Sequence, residues 1–111
     1  MFEKNLNIAY LLDFYGDILS ERKKTVLDGY YNRDLSLAEI AEELGISRQG
    51  VRELIKKAEN ELCFYEEKLG LAEKFRRTES RIRHLISLAE DNRPVGEIRA
   101  ELLFMEEELE K

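Results

Sequence analysis

The sequence has one cysteine, one proline, one histidine and no tryptophan. Cys63 alone can form neither an internal disulfide nor a multi-cysteine metal site. His84 alone rules out a two-histidine metal site. With only Pro94 and six glycines among 111 residues, element interiors are seldom interrupted. No apolar run approaches the roughly 20 residues that a membrane helix requires, so no membrane insertion is expected. The start, Met1-Phe2-Glu3-Lys4-Asn5, lacks a basic flank followed by an apolar run, so no secretory signal is expected either. A glycine-rich phosphate loop is also missing. These absences lead to the expectation of a cytoplasmic chain without metal or other cofactor.

What is present is apolar and charged in nearly equal measure. Hydrophobic residues make up 43% of the chain, enough to expect a fold, and charged residues 38%, which with so few breakers points to long solvated helices. The net charge of −6 argues against a protein that coats nucleic acid indiscriminately, but it permits a local basic surface.

Apolar spacing of 3.6 residues recurs throughout, and strand-like alternation never persists. The first helix is expected over about Lys4 to Tyr15, with Ile8, Leu11, Leu12 and Tyr15 on one face, Leu6 and Phe14 widening it, and Gly16 ending it. The second starts at Ser20, an N-cap, with Val26, Leu27, Tyr30 and Tyr31 inward and a break at Asn32-Arg33-Asp34. Ser36 and Glu39 form a capping box for a short third helix, with Ile40, Ala41 and Leu44 inward and Gly45 as the stop. Ser47 caps a long fourth helix to about Lys68, striped by Val51, Leu54, Ile55, Ala58, Leu62, Tyr65 and Leu69. Gly70 marks a joint, a fifth helix covers about Leu71 to Glu90, residues 91–96 turn, and a last helix covers about Val95 to Glu110.

The segment Ser36 to Lys57 carries the most information. Two helices that cross tightly through a short turn need a small residue where they meet, a residue tolerant of positive φ at the turn, and an aliphatic residue opposite the small one. Ala41, Gly45 and Val51 meet those needs in order, with Ile40, Leu44, Ile46 and Leu54 filling the wedge. The outward side of the second helix then carries Arg48, Gln49, Arg52, Lys56 and Lys57. In DNA-reading versions of this motif the N-terminal residues of the second helix enter the major groove, where Arg can read guanine and Gln adenine. Arg52 and Lys56 suit phosphates. Against this, Glu39, Glu42 and Glu43 lie on the helix that would cross the backbone, and Glu53 lies among the bases. Protein docking and a merely solvated charged face are the competing readings.

A second basic cluster, Arg76, Arg77, Arg81, Arg83 and His84, could meet an anionic partner such as RNA, or could be a solvated surface paired with Glu73 and Glu79. In the last two helices, Leu71, Phe75, Thr78, Ile82, Leu85 and Ala89, and then Val95, Ile98, Leu102, Met105 and Leu109, follow coiled-coil spacing. They can pack as a hairpin or form the seam of a homodimer suited to two DNA half-sites. The expected organisation is all-α: a four-helix helix-turn-helix domain over 1–68 and a C-terminal helical hairpin extension over 69–111, serving assembly. Cys63, beside Glu59, Glu66 and Glu67, is expected to be structural rather than reactive. Ser36 and Ser47 read as caps rather than nucleophiles, so no enzymatic activity is expected.

Residues 19–62, LSERKKTVLDGYYNRDLSLAEIAEELGISRQGVRELIKKAENEL, resemble region 4 of bacterial sigma factors. With Ile8-Ala9-Tyr10-Leu11-Leu12-Asp13-Phe14-Tyr15-Gly16 upstream and Tyr65-Glu66-Glu67-Lys68-Leu69-Gly70-Leu71 downstream, the chain resembles the YlxM family of helix-turn-helix proteins more closely, over about residues 1–90. That resemblance implies a bacterial, cytosolic, non-enzymatic regulator linked to the signal recognition particle pathway, because the family's genes neighbour those of the particle's GTPases. It implies either DNA as partner or an adaptor role on signal-recognition-particle protein or RNA. Gly50 and Glu53 depart from a plain DNA-reading helix: Gly50 costs roughly 1 kcal/mol of helix stability relative to Ala, and Glu53 repels phosphate.

Overall fold

Hydroxyl caps set where the helices begin. In the computed structural model, which describes residues 6–91 and 94–109, the Ser20 side chain accepts a hydrogen bond from the Lys23 amide, Ser36 from Glu39 and Ser47 from Gly50. They open α2 (Glu21–Leu27), α3 (Leu37–Leu44) and α4 (Arg48–Leu69). Before them lies α1 (Leu6–Tyr15), and after them α5 (Leu71–Glu90) and α6 (Val95–Leu109). Every regular element among the described residues is helical. The expected start at Lys4, the Leu6 side chain, Asn92 and Arg93 of the turn, and Glu110 lie outside the described residues.

The capping box at Ser36 is complete, because the Glu39 carboxylate also accepts from the Ser36 amide at 3.1 Å. Ser36→Ala removes one half and loosens the other. It should cost about 1 kcal/mol, read as a fall in thermal midpoint of about 4–8 °C.

Two helices end at glycines in the left-handed region, Gly45 at φ 68° after α3 and Gly70 at φ 62° after α4. Gly16 behaves differently from expectation. It keeps a negative φ and opens a 3₁₀ turn (Gly16–Ile18) that carries the chain on to Ser20. Gly16 is buried against Leu12, so its value lies in lacking a side chain rather than in an unusual φ. The second helix continues past Leu27, as its inward Tyr30 and Tyr31 require. It widens into a single π turn (Asp28–Asn32), which swings Tyr30 into the core, and the break then uses Asp34 at φ 54°.

The chain divides into two units, Met1–Ala72 and Glu73–Lys111. In the first, α1, α2 and α3 all pack on α4. Val51, Ile55, Ala58 and Leu62 form the fully buried side of α4 and meet Tyr15, Val26, Leu27 and Ile40. Leu69 does not continue that side, being exposed. Leu71 and Ala72 stay with this unit because α1 and α4 supply their caps. The Tyr15 hydroxyl donates to Glu66 Oε1 at 2.6 Å and accepts from the Leu71 amide at 3.1 Å, while the Ala72 amide donates to the same Glu66 oxygen at 3.0 Å. The second unit is the pair formed by the rest of α5 and by α6. Its connection is too short for anything but an antiparallel hairpin.

Candidate nucleic-acid interface

The crossing of α3 and α4 is built as the residue types require. Ala41 is buried at the contact, 8% exposed, opposite the fully buried Val51 and Ile55. The left-handed Gly45 reverses the chain, and the Ile46 amide donates back to the Ala41 carbonyl at 3.1 Å. Ser47 then starts α4 with its hydroxyl 2.9 Å from the Gly50 amide. A Cβ on residue 50 would stand 3.2 Å from that hydroxyl, so the close approach at Gly50 is to its own helix cap.

With its inner side fixed, α4 turns Arg48, Gln49, Arg52, Lys56 and Lys57 outward, and all five are exposed. Arg48, Arg52 and Lys56 fall one turn apart along one edge. Among the described residues none of the four cations has an ion-pair partner. Glu53 is the single carboxylate in this stretch of α4.

The acidic α3 opposes phosphate less than its sequence suggests. The Glu39 carboxylate is turned back onto its own helix cap, and Glu43 pairs with Arg33 at 3.2 Å. Glu42 remains exposed. On the opposite flank of α4 the fold adds a cation that the sequence pattern did not single out. Arg22, at the start of α2, lines a shallow groove of ≈ 220 Å³ with Gly50, Glu53, Leu54 and Lys57. Its neighbours in the run are engaged, Lys23 with Glu61 at 3.3 Å and Lys24 with Asp17. Only packing of α2 on α4 brings Arg22 beside Lys57, so no local signal could have marked it.

The second cluster does not form one open face. Arg77 lies near Glu73 at 4.0 Å, and Arg83 pairs with Glu79 at 3.2 Å, each one helical turn apart. Arg81 turns into the hairpin, where it pairs with Glu108 at 2.9 Å and stacks on the Phe104 ring at 4.3 Å. An open patch that includes Arg81 is therefore corrected to a hairpin contact. Arg76, Arg83 and His84 are exposed. The heptad positions make part of this hairpin contact: Leu85, Ile98 and Met105 are half-buried, whereas Ile82, Leu102 and Leu109 stay exposed.

Cys63 is exposed on α4 rather than part of the core. Partial burial first and the Glu59 carboxylate second push its thiol upward, away from the thiolate. Ser36 and Ser47 both serve as caps. Among the described residues no group of three or more His, Cys, Asp or Glu side chains could hold a metal ion, and no helix is long and apolar enough to cross a membrane.

A short α3, a left-handed turn and a capped α4 crossing at a small residue define a helix-turn-helix protein. The chain matches the family model UPF0122, "Putative helix-turn-helix protein, YlxM / p13 like", over residues 2–100, and it belongs to that family. Among curated relatives it is 45% identical to a UPF0122 protein of Clostridium kluyveri over 84 residues, 76% of each chain. It is 41% identical to one of Bacillus cereus over 97 residues, 87% of this chain and 88% of the relative. It is also 51% identical to one of Caldanaerobacter subterraneus over 69 residues, 62% of this chain and 59% of the relative.

Proposed function

We propose that this protein is a non-enzymatic regulator that binds duplex DNA through the N-terminal half of α4. Arg48 and Gln49 face base edges in the major groove, and Arg52, Lys56 and Lys57 bind phosphates. Arg22 adds a phosphate contact on the α2 flank. The observation that carries this reading is the row of exposed cations without ion-pair partners on one edge of a capped, well-packed helix. Cations held by carboxylates would gain little from phosphate. These have no competing partner to give up. A link to the signal recognition particle through the α5 cluster draws less support, since Arg77, Arg81 and Arg83 are engaged by glutamates.

Fluorescence anisotropy of labelled duplexes across a salt series tests the proposal. With about four phosphates neutralised per chain, the slope of log K against log salt should be roughly −3.5. A salt-independent signal, or none at low salt, sinks it. Arg22→Ala should weaken binding uniformly across sequences and reduce the slope by about 0.9. Its exposure leaves the fold untouched. An unchanged slope removes Arg22 from the interface.

A further inference from the structure

The hairpin of the second unit is short of core. Among its described residues only Leu88 is a buried hydrophobic, at 9% exposure. Ile82, Ile86, Leu102, Leu103 and Leu109 are all about half exposed or more. Two packed helices with so little apolar burial lack the driving force to order themselves.

Apart from Leu103, which lies on the far side of α6, these residues are not scattered. Residues on an α-helix step by about 100°. On α5 the inward side holds Arg81, Leu85 and Leu88, and Ile82 and Ile86 form a second stripe about a quarter turn further round. On α6 the inward side holds Ile98, Met105 and Glu108, and Val95, Leu102 and Leu109 form a second stripe about a quarter turn round in the same sense. In an antiparallel pair, offsets of equal sense bring both stripes to the same side. The hairpin therefore has one continuous apolar face, as each half of a four-helix bundle does.

The charges indicate the occupant. With Arg81 and Glu108 paired inside the hairpin, α5 keeps four cations against three carboxylates, and α6 keeps one cation, Arg99, against four carboxylates. The face is thus flanked by a weakly basic helix on one side and an acidic helix on the other. A second copy offers the matching pattern in reverse. With the two-fold axis parallel to the helices, α5 lies on the partner's α6. The alternative two-fold, like helix on like helix, sets the acidic α6 on a second acidic α6, which costs energy. We infer that this face binds a second copy of the chain in an antiparallel four-helix bundle, α5 of each copy against α6 of the other, with Ile82 level with Leu102 across the interface. The inference stands apart from the DNA reading and holds whether or not α4 binds a duplex.

Sedimentation equilibrium of the full chain at micromolar concentration tests it. The expected mass is twice the 13.1 kDa of one chain. Leu102→Glu buries a carboxylate twice per dimer and should weaken association by roughly a hundredfold or more. A wild-type chain that sediments alone, or a helical Leu102→Glu chain that stays dimeric, overturns the inference. Cross-linking is independent of that variant's folding. In a Cys63→Ala background, Ile82→Cys and Leu102→Cys chains are mixed and oxidised. Disulfides joining the two kinds of chain are expected. Disulfides only between identical chains overturn the α5-on-α6 arrangement.

Discussion

Tyr15→Ala should lower the unfolding free energy by about 3–5 kcal/mol, the range for truncating a large buried aromatic. Tyr15 is 0% exposed, and its ring sits against Tyr65 with centroids 6.0 Å apart. Its hydroxyl also joins α1 to α4 and to the first turn of α5 through Glu66 and the Leu71 amide. Tyr15→Phe separates the two roles. It keeps the ring and removes only the hydroxyl, leaving an amide and a carboxylate less satisfied, for a loss of about 1–3 kcal/mol. Urea titrations followed by circular dichroism measure both. Should the two variants be equally destabilised, the ring contributes nothing beyond its hydroxyl and the packing account fails.

The same hydroxyl makes a pH prediction. Burial first, and the hydrogen bond to Glu66 second, raise its pKa above the ordinary value of 10.0. The folded protein then holds this proton more tightly than the unfolded chain. Its contribution is intact below about pH 10 and is lost as pH rises through the folded value. Tyr15→Phe should therefore show a shallower alkaline decline than the wild type.

The second large effect concerns DNA. Arg48→Ala combined with Arg52→Ala should weaken duplex binding by roughly ten- to a thousandfold, since one bidentate base contact is worth about 1–3 kcal/mol and a phosphate contact is lost with it. The single variants should differ in kind. Arg48→Ala should flatten preference among sequences. Arg52→Ala should weaken all duplexes alike and lower the salt slope by about 0.9. Arg48→Lys should not restore selectivity, because an ammonium lacks the planar fork that matches guanine. Anisotropy with a selected and a scrambled duplex reads all three. A double variant that binds as the wild type does would place the interface elsewhere.

The motif was readable because its requirements are local. Ser36, Glu39, Gly45 and Ser47 act on amides within four residues of themselves, and Ala41 and Val51 act across one turn. What escaped the sequence depends on segments far apart in the chain. Arg22 comes beside Lys57 only through the packing of α2, and Glu66 finds Tyr15 only through that of α1. From sequence, Glu66 is one more acid beside Cys63. In the fold it is a cap for another helix. The π turn was equally hidden, because Asp28-Gly29-Tyr30-Tyr31-Asn32 carries no signal that separates a widened turn from a helix end. Arg81 read as one member of a basic patch, yet Phe104 and Glu108 draw it inward.

The cap on α5 also bears on truncation. The first two amides of that helix, those of Leu71 and Ala72, are held by side chains borrowed from α1 and α4. A polypeptide ending at Ala72 keeps donor and acceptor together and loses no part of the seal. One beginning at Leu71 inherits bare amides, and its opening turn must fray until another group satisfies them. The two cuts are thus unequal: one after Ala72 keeps Tyr15, Glu66 and both amides together, and one before Leu71 separates them.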